Sequence, residues 1–106
     1  MENYRVLVTD TALADMQEIE TYISEQLLNP ISAEGQYERI AAEILTLETM
    51  PARFGIPHFE PCEELKLHRM MVDSYSVFYL IENRNVIVTD VLYSASDIQK
   101  HLSERH

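Results

Sequence analysis

Apolar residues recur along this chain in two rhythms, one of period two and one close to the helical 3.6. "YRVLVTD" opens with a short β-rich run that predicts a strand over residues 3 to 9. The period then lengthens. Ala12, Met16, Ile19, Ile23 and Leu27 follow one another at steps of four, three, four and four, which places them on one face of a helix over 11 to 28. Asp10 or Thr11 is the expected cap, and Asp15, Glu18 and Glu25 fall mostly outside the apolar stripe. Pro30 cannot continue that helix but suits the first turn of another, with Asn29 as its cap. Ala33, Tyr37, Ile40, Ile44 and Leu47 carry the second stripe, and Pro51 stops a helix predicted over 30 to 50. Two helices joined this tightly form an antiparallel hairpin. Stripes at helical spacing are read as core, with Ile19, Ile23, Ile40 and Ile44 buried, and the acids between them as a solvated face.

After "PARFGIPHFEPC", a proline-rich and aromatic stretch that reads as an ordered irregular loop, the alternation of strands returns. "LKLHRMMV" sets Leu65, Leu67, Arg69 and Met71 against Lys66, His68, Met70 and Val72, predicting a strand over 64 to 73. Strands over 75 to 82 and 85 to 93 follow, with turns near Asp73 and at Asn83 to Asn85. "SASDIQKHL" then closes as a short helix in which Asp97, with Ser94 or Ser96, caps the turn before Ile98 and Leu102. The order β-α-α-β-β-β-α is that of a two-layer α+β domain.

Composition narrows the picture. With 106 residues and 46% hydrophobic content the chain builds one core, so a single domain over 1–106 is expected. No apolar run approaches the ~18 residues of a membrane span and the start lacks the pattern of a signal peptide, so a cytoplasmic protein without membrane partners is expected. Cys62 stands alone and reads as a buried or incidental thiol. The net charge of −10 argues against general nucleic-acid binding, yet it is uneven: residues 1–50 carry ten acids against two bases, residues 51–106 eight against six.

Generic catalytic signatures are missing. There is no phosphate-cradling glycine loop, no nucleophile elbow and no histidine pair at metal-ligand spacing, so neither cofactor nor metal is expected. Chemistry-bearing residues gather instead on the sheet's other face and rim if the three strands pair in sequence: Lys66, His68, Arg69, Tyr75, Tyr79, Tyr93 and Asp97. Cross-strand aromatic packing is the simpler account of the tyrosines, capping that of Asp97, and a surface or packed site that of His68.

"ALADMQEIETYISEQLLNPISAEGQ", "LTLETMPARF", "MMVDSYSVFYLI" and "VLYSASDIQKHL", in that order, resemble the RelE/ParE superfamily of bacterial type II toxin–antitoxin toxins, also called plasmid-stabilisation proteins. The resemblance runs almost end to end. It implies a helix hairpin packed on a mainly antiparallel four-stranded sheet, and a cognate antitoxin that wraps around the toxin. RelE-like members cleave mRNA on the ribosome, whereas ParE-like members inhibit DNA gyrase by binding. The partners implied are thus the antitoxin, then ribosome and mRNA or gyrase, with a homodimer as a further assembly. The acidity of the helices implies that the antitoxin brings basic residues to them.

Where similar family members have a tyrosine or histidine, two small residues, arginine and aspartate, this chain has "YSASD": Tyr93 and Asp97 fit, and Ser96 replaces the arginine. Where they have a basic pair before the third strand's "VDNY"-like start, this chain has His68 and Arg69. Both departures remove cations. The resemblance therefore implies a metal-independent endoribonuclease in which His68 is the base, Tyr93 the acid and Arg69 the fixed charge on the transition state, short of one cation. Beside it stand a non-enzymatic gyrase-binding toxin and an inactive homologue that retains only antitoxin binding.

Overall fold

The longest strand, β4 (Asn85–Tyr93), is the spine of the molecule, with β3 (Tyr75–Glu82) antiparallel on one side and β1 (Arg5–Val8) parallel on the other. β2 (His68–Val72) pairs antiparallel with β3, giving a four-stranded sheet in the order β1-β4-β3-β2. The fold is α+β. The computed structural model describes residues 3–106, so the first two positions of the expected domain lie outside the described residues.

Thr9, not Asp10 or Thr11, caps α1 (Asp10–Thr21), its hydroxyl accepting from the Ala12 amide at 3.1 Å. The helix widens into a π-turn over Tyr22–Gln26, and Leu28, at a left-handed φ of 51°, ends the path before Pro30. α2 (Pro30–Leu45) starts as expected, with Asn29 accepting from the Ser32 amide at 3.2 Å. It tightens to a 3₁₀ turn over Thr46–Glu48, so the helical run stops short of residue 50. A second 3₁₀ turn, Pro51–Arg53, follows.

The main difference from the sequence pattern falls at residues 64 to 67. A one-turn helix, α3 (Cys62–Leu65), occupies the start of the predicted strand, which begins only at His68. Lys66 ends that turn at a φ of 60°, and the Leu67 amide donates back to the Cys62 carbonyl at 3.0 Å. The turn is closed locally by these two residues, and β3 from Leu80 to Glu82 is left paired with β4 alone. The two hairpin turns need left-handed residues as well, supplied by Asp73 and Asn83 at φ 53° and 55°.

Core residues divide between the two faces of the sheet. On one face Ala12, Met16, Ile40, Ile44 and Leu47 of the helix hairpin pack on Met70, Val77, Tyr79, Val86 and Val88. Ile23 is buried, Ile19 is half-buried against this cluster, and Leu27 is exposed. Tyr79, expected on an open face, is fully buried there and donates to the Pro51 carbonyl at 2.6 Å. The opposite face is covered too. Leu67, Phe78 and Leu92 receive Cys62 of α3 and Ile98 and Leu102 of α4 (Ile98–Arg105), a helix capped by Asp97. Burial pushes the Cys62 thiol up to about 11.

One irregularity sets the pattern of faces. Tyr79 pairs with Val88 but Phe78 pairs with Asp90, so Thr89 is an extra residue in β4. Val86 and Val88 face the helix hairpin before this bulge and Val91 faces it afterwards, while Asp90 and Leu92 turn to the other side.

Replacing Ile40 by alanine should lower the unfolding free energy by ~2–5 kcal/mol, whereas Ile31→Ala, at a position 84% exposed, should shift it by less than ~0.5 kcal/mol. Urea titrations of both variants measure the contrast.

Burial also raises the Tyr79 phenol, to about 12 from an ordinary 10.0. A raised acid favours the folded state below its unfolded pKa and loses that advantage as pH rises through the folded value. Stability should therefore fall between about pH 10 and 12, and Tyr79→Phe should flatten that part of the curve, measured by thermal melts in an alkaline pH series.

Candidate functional site

The strand register decides where His68, Arg69 and Tyr93 stand. His68 lies opposite Tyr79, in the row that continues to Val88, while Tyr93 lies opposite Tyr75, in the row of Val72. The two rows are four residues apart, roughly 13 Å at ~3.3 Å per residue, and His68 and Tyr93 are two strands apart as well. Arg69 points to the other face of the sheet, over the Phe78 ring at 5.9 Å.

Each of the three already has local work. The His68 ring stacks on Tyr79 at 5.2 Å, and its Nδ1 donates to the Phe54 carbonyl at 2.7 Å, tying the irregular loop to β2. Arg69 donates from Nε to the Ser76 hydroxyl at 2.9 Å, and Ser76 meets Ser94 at 2.8 Å. Tyr93 is 51% exposed and rests against Tyr75, ring centroids 5.9 Å apart. Ser96, at the position where the arginine was expected, closes its own turn by donating to the Tyr93 carbonyl at 2.5 Å. Lys66 is exposed beyond α3 and Asp97 is a helix cap. These residues do not form one constellation.

Tyr93 belongs instead to a groove of about 610 Å³ where the π-turn of α1, α2 and the ends of β3 and β4 meet. Tyr22, Tyr75 and Tyr93 line it, together with Ile19, Leu27 and Glu18. Burial, followed by the neighbouring phenols of Tyr93 and Tyr22, pushes the Tyr75 hydroxyl up. Arg39 also reaches the groove but is held by Asp73 at 2.9 Å, and this guanidinium together with the Gln36 amide holds the Asp73 carboxyl below its ordinary value.

A second polar centre escaped the sequence pattern. Asp15, placed outside the apolar stripe, is 5% exposed, and Asp90 is fully buried. Arg105 of α4 donates to both oxygens of Asp15, at 2.7 and 2.8 Å, and to Asp90 at 3.2 Å. Thr89 and His106 complete Asp90 at 2.6 and 2.8 Å. The Val91 amide donates to Asp15 at 3.0 Å, at a point where β1 has already ended and β4 has no strand partner on that side. Hydrogen bonds to Asp15, then those to Asp90, push the Arg105 pKa up against the cost of burial. Two signals were available: Asp15 sits three residues after Ala12, on the helix face that Met16 shares, and Asp90 interrupts an otherwise apolar strand.

The family model of the ParE toxin of the type II toxin–antitoxin system parDE matches residues 6–98. The chain belongs to the ParE toxin family. Among solved structures it is similar to the chromosomal ParDE toxin–antitoxin system from P. aeruginosa, with 15% identity, a TM-score of 0.73 and coverage of 85% of this chain and 95% of that one. The RelBE2 toxin–antitoxin complex from Mycobacterium tuberculosis follows at 19% identity and a TM-score of 0.58, covering 91% and 97%. The archaeal RelE–RelB complex from Pyrococcus horikoshii OT3 has 14% identity and a TM-score of 0.51, covering 88% and 97%. At these identities the structures speak for the fold. No curated protein matches in sequence. Among the described residues no helix of this ParE-family chain is long and apolar enough to cross a membrane.

Removing the guanidinium with Arg105→Ala should take from two buried carboxylates the arginine they share and cost stability toward the lower end of roughly 3–5 kcal/mol, since Arg105 itself is one-third exposed and other donors remain. Arg105→Lys, which keeps the charge but not the two-pronged geometry, should fall between the two. Urea midpoints of the three proteins rank them.

Proposed function

We infer that the chain acts as a toxin by binding its target, without catalysis, and that a cognate antitoxin neutralises it. The target implied by ParE membership is DNA gyrase. One observation carries the non-enzymatic reading: the strand register puts His68 and Tyr93 in rows four residues apart and turns Arg69 to the opposite face. Cleavage of RNA needs base, acid and charge stabiliser within hydrogen-bond reach of one phosphate, and a row separation of roughly 13 Å does not provide that. Where the expected edge would carry a second cation stands Ser96, whose neutral hydroxyl is engaged with its own turn.

An antitoxin partner is supported by the toxin–antitoxin complexes among the similar folds. The surface fits such a partner. Leu28 and Ile31 at the tip of the helix hairpin are 83% and 84% exposed, close in sequence to Leu27 of the groove, and apolar area of this kind is characteristic of interfaces.

Induced expression in a bacterial host, with growth, plasmid supercoiling and transcript 5′ ends followed together, tests the reading. Growth arrest with loss of negative supercoiling and no new 5′ ends is expected, and His68→Ala and Arg69→Ala should each leave the arrest within about twofold once folding is verified. New 5′ ends that vanish in Arg69→Ala would restore the RelE-like endoribonuclease. A parent that folds and leaves growth untouched would make the chain an inactive homologue.

A further inference from the structure

The tyrosine groove combines apolar side chains with three phenols and a carboxylate. Tyr22 comes from the π-turn, Tyr75 from the start of β3 and Tyr93 from the end of β4, so three separate elements deliver phenol rings to one cavity. The Tyr75 and Tyr93 rings are tilted by 57°, and among the described residues none of the three hydroxyls is engaged in a hydrogen bond with protein. Glu18 lies one helical turn before Tyr22, on the same side of α1, and its carboxylate has neither an ion pair nor a hydrogen bond among the described residues. The lining's cation, Arg39, has its charge offset by Asp73.

Each class of occupant meets a different balance. An apolar side chain would cover Glu18 and strip its water without replacing it. An acidic one would meet Glu18 and a half of the chain that carries ten acids against two bases. A cation is drawn both by the carboxylate and by the negative potential of aromatic faces, and a planar guanidinium stacks on rings better than an ammonium does. We propose that the groove is a cage for one arginine side chain, presented by the docking segment of the antitoxin and bound by Tyr22, Tyr75, Tyr93 and Glu18. Ile19 and Leu27 cover its aliphatic stem. The identity of the carrier rests on the antitoxin reading above; the cage chemistry rests on the groove alone.

The test is a titration of the full chain, labelled at its tyrosine rings for NMR, with N-acetyl-arginine methylamide and with its leucine counterpart. The arginine probe should move the ring signals of Tyr22, Tyr75 and Tyr93 and bind several-fold tighter than the leucine probe. Glu18→Gln and Tyr93→Leu, both at exposed positions, should each weaken the arginine probe by about 2–30-fold while leaving the remaining spectrum in place. Equal or tighter binding of the leucine probe, or an unchanged arginine affinity in both variants, overturns the cage. The outcome is separable from the fate of the toxin reading, because a chain that arrests growth, is relieved by an antitoxin and still prefers leucine keeps its function and loses the cage. A chain that takes arginine here but binds an antitoxin unaffected by Glu18→Gln and Tyr93→Leu overturns the assignment of the carrier.

Discussion

Arg105, held between two buried carboxylates, closes a gap that the sheet itself leaves open. β1 has four residues and β4 has nine, so β4 runs on past the last β1 pairing at Val88 with one edge unpaired. A buried amide without a partner is costly, and Asp15 answers the Val91 N–H. That places a carboxylate in the interior beside Asp90, and desolvating two such charges costs several kcal/mol per ion unless geometry repays it. The repayment is dense: two donors from Arg105 to Asp15, and Arg105, Thr89 and His106 to Asp90. Positions 15, 90 and 105 thus depend on one another, and α1, β4 and α4 are fastened at a single point.

The bulge at Thr89 is the second constraint, and it acts through the two-residue period of a strand. One extra residue moves every later side chain to the opposite face. Asp90 thereby reaches the side from which Arg105 approaches, and Tyr93 joins Tyr75 on the side of the helix hairpin. In an unbroken ladder Tyr93 would share a face with Arg69. The same irregularity that completes the ionic closure therefore takes an aromatic side chain away from the cation and gives it to the groove.

With α4 and α3 over one face and the hairpin over the other, the sheet has little open surface left for chemistry. What remains accessible is the rim: a tyrosine-lined groove, an apolar hairpin tip and a set of acids. Such a surface is suited to recognising another macromolecule, with apolar contact for affinity and charge for selectivity.

Much of the architecture was legible because it depends on local period. The apolar steps of four and three in both helices, Asn29 before Pro30, Asp97 before Ile98, and the bounds of the strands at 75 to 82 and 85 to 93 are consequences of which residues repeat and which punctuate. The family resemblance was legible for the same reason, since it lies in the order of those segments. Tertiary structure alone decided the rest. The strand expected from residue 64 became a helical turn because Lys66 caps it locally, and the buried role of Asp15 exists only because an arginine ninety positions away meets it. His68, Arg69 and Tyr93 could be singled out one by one, but whether they share a site depends on strand register and on one extra residue in β4. Those are long-range pairings, and they leave no period in the sequence to read.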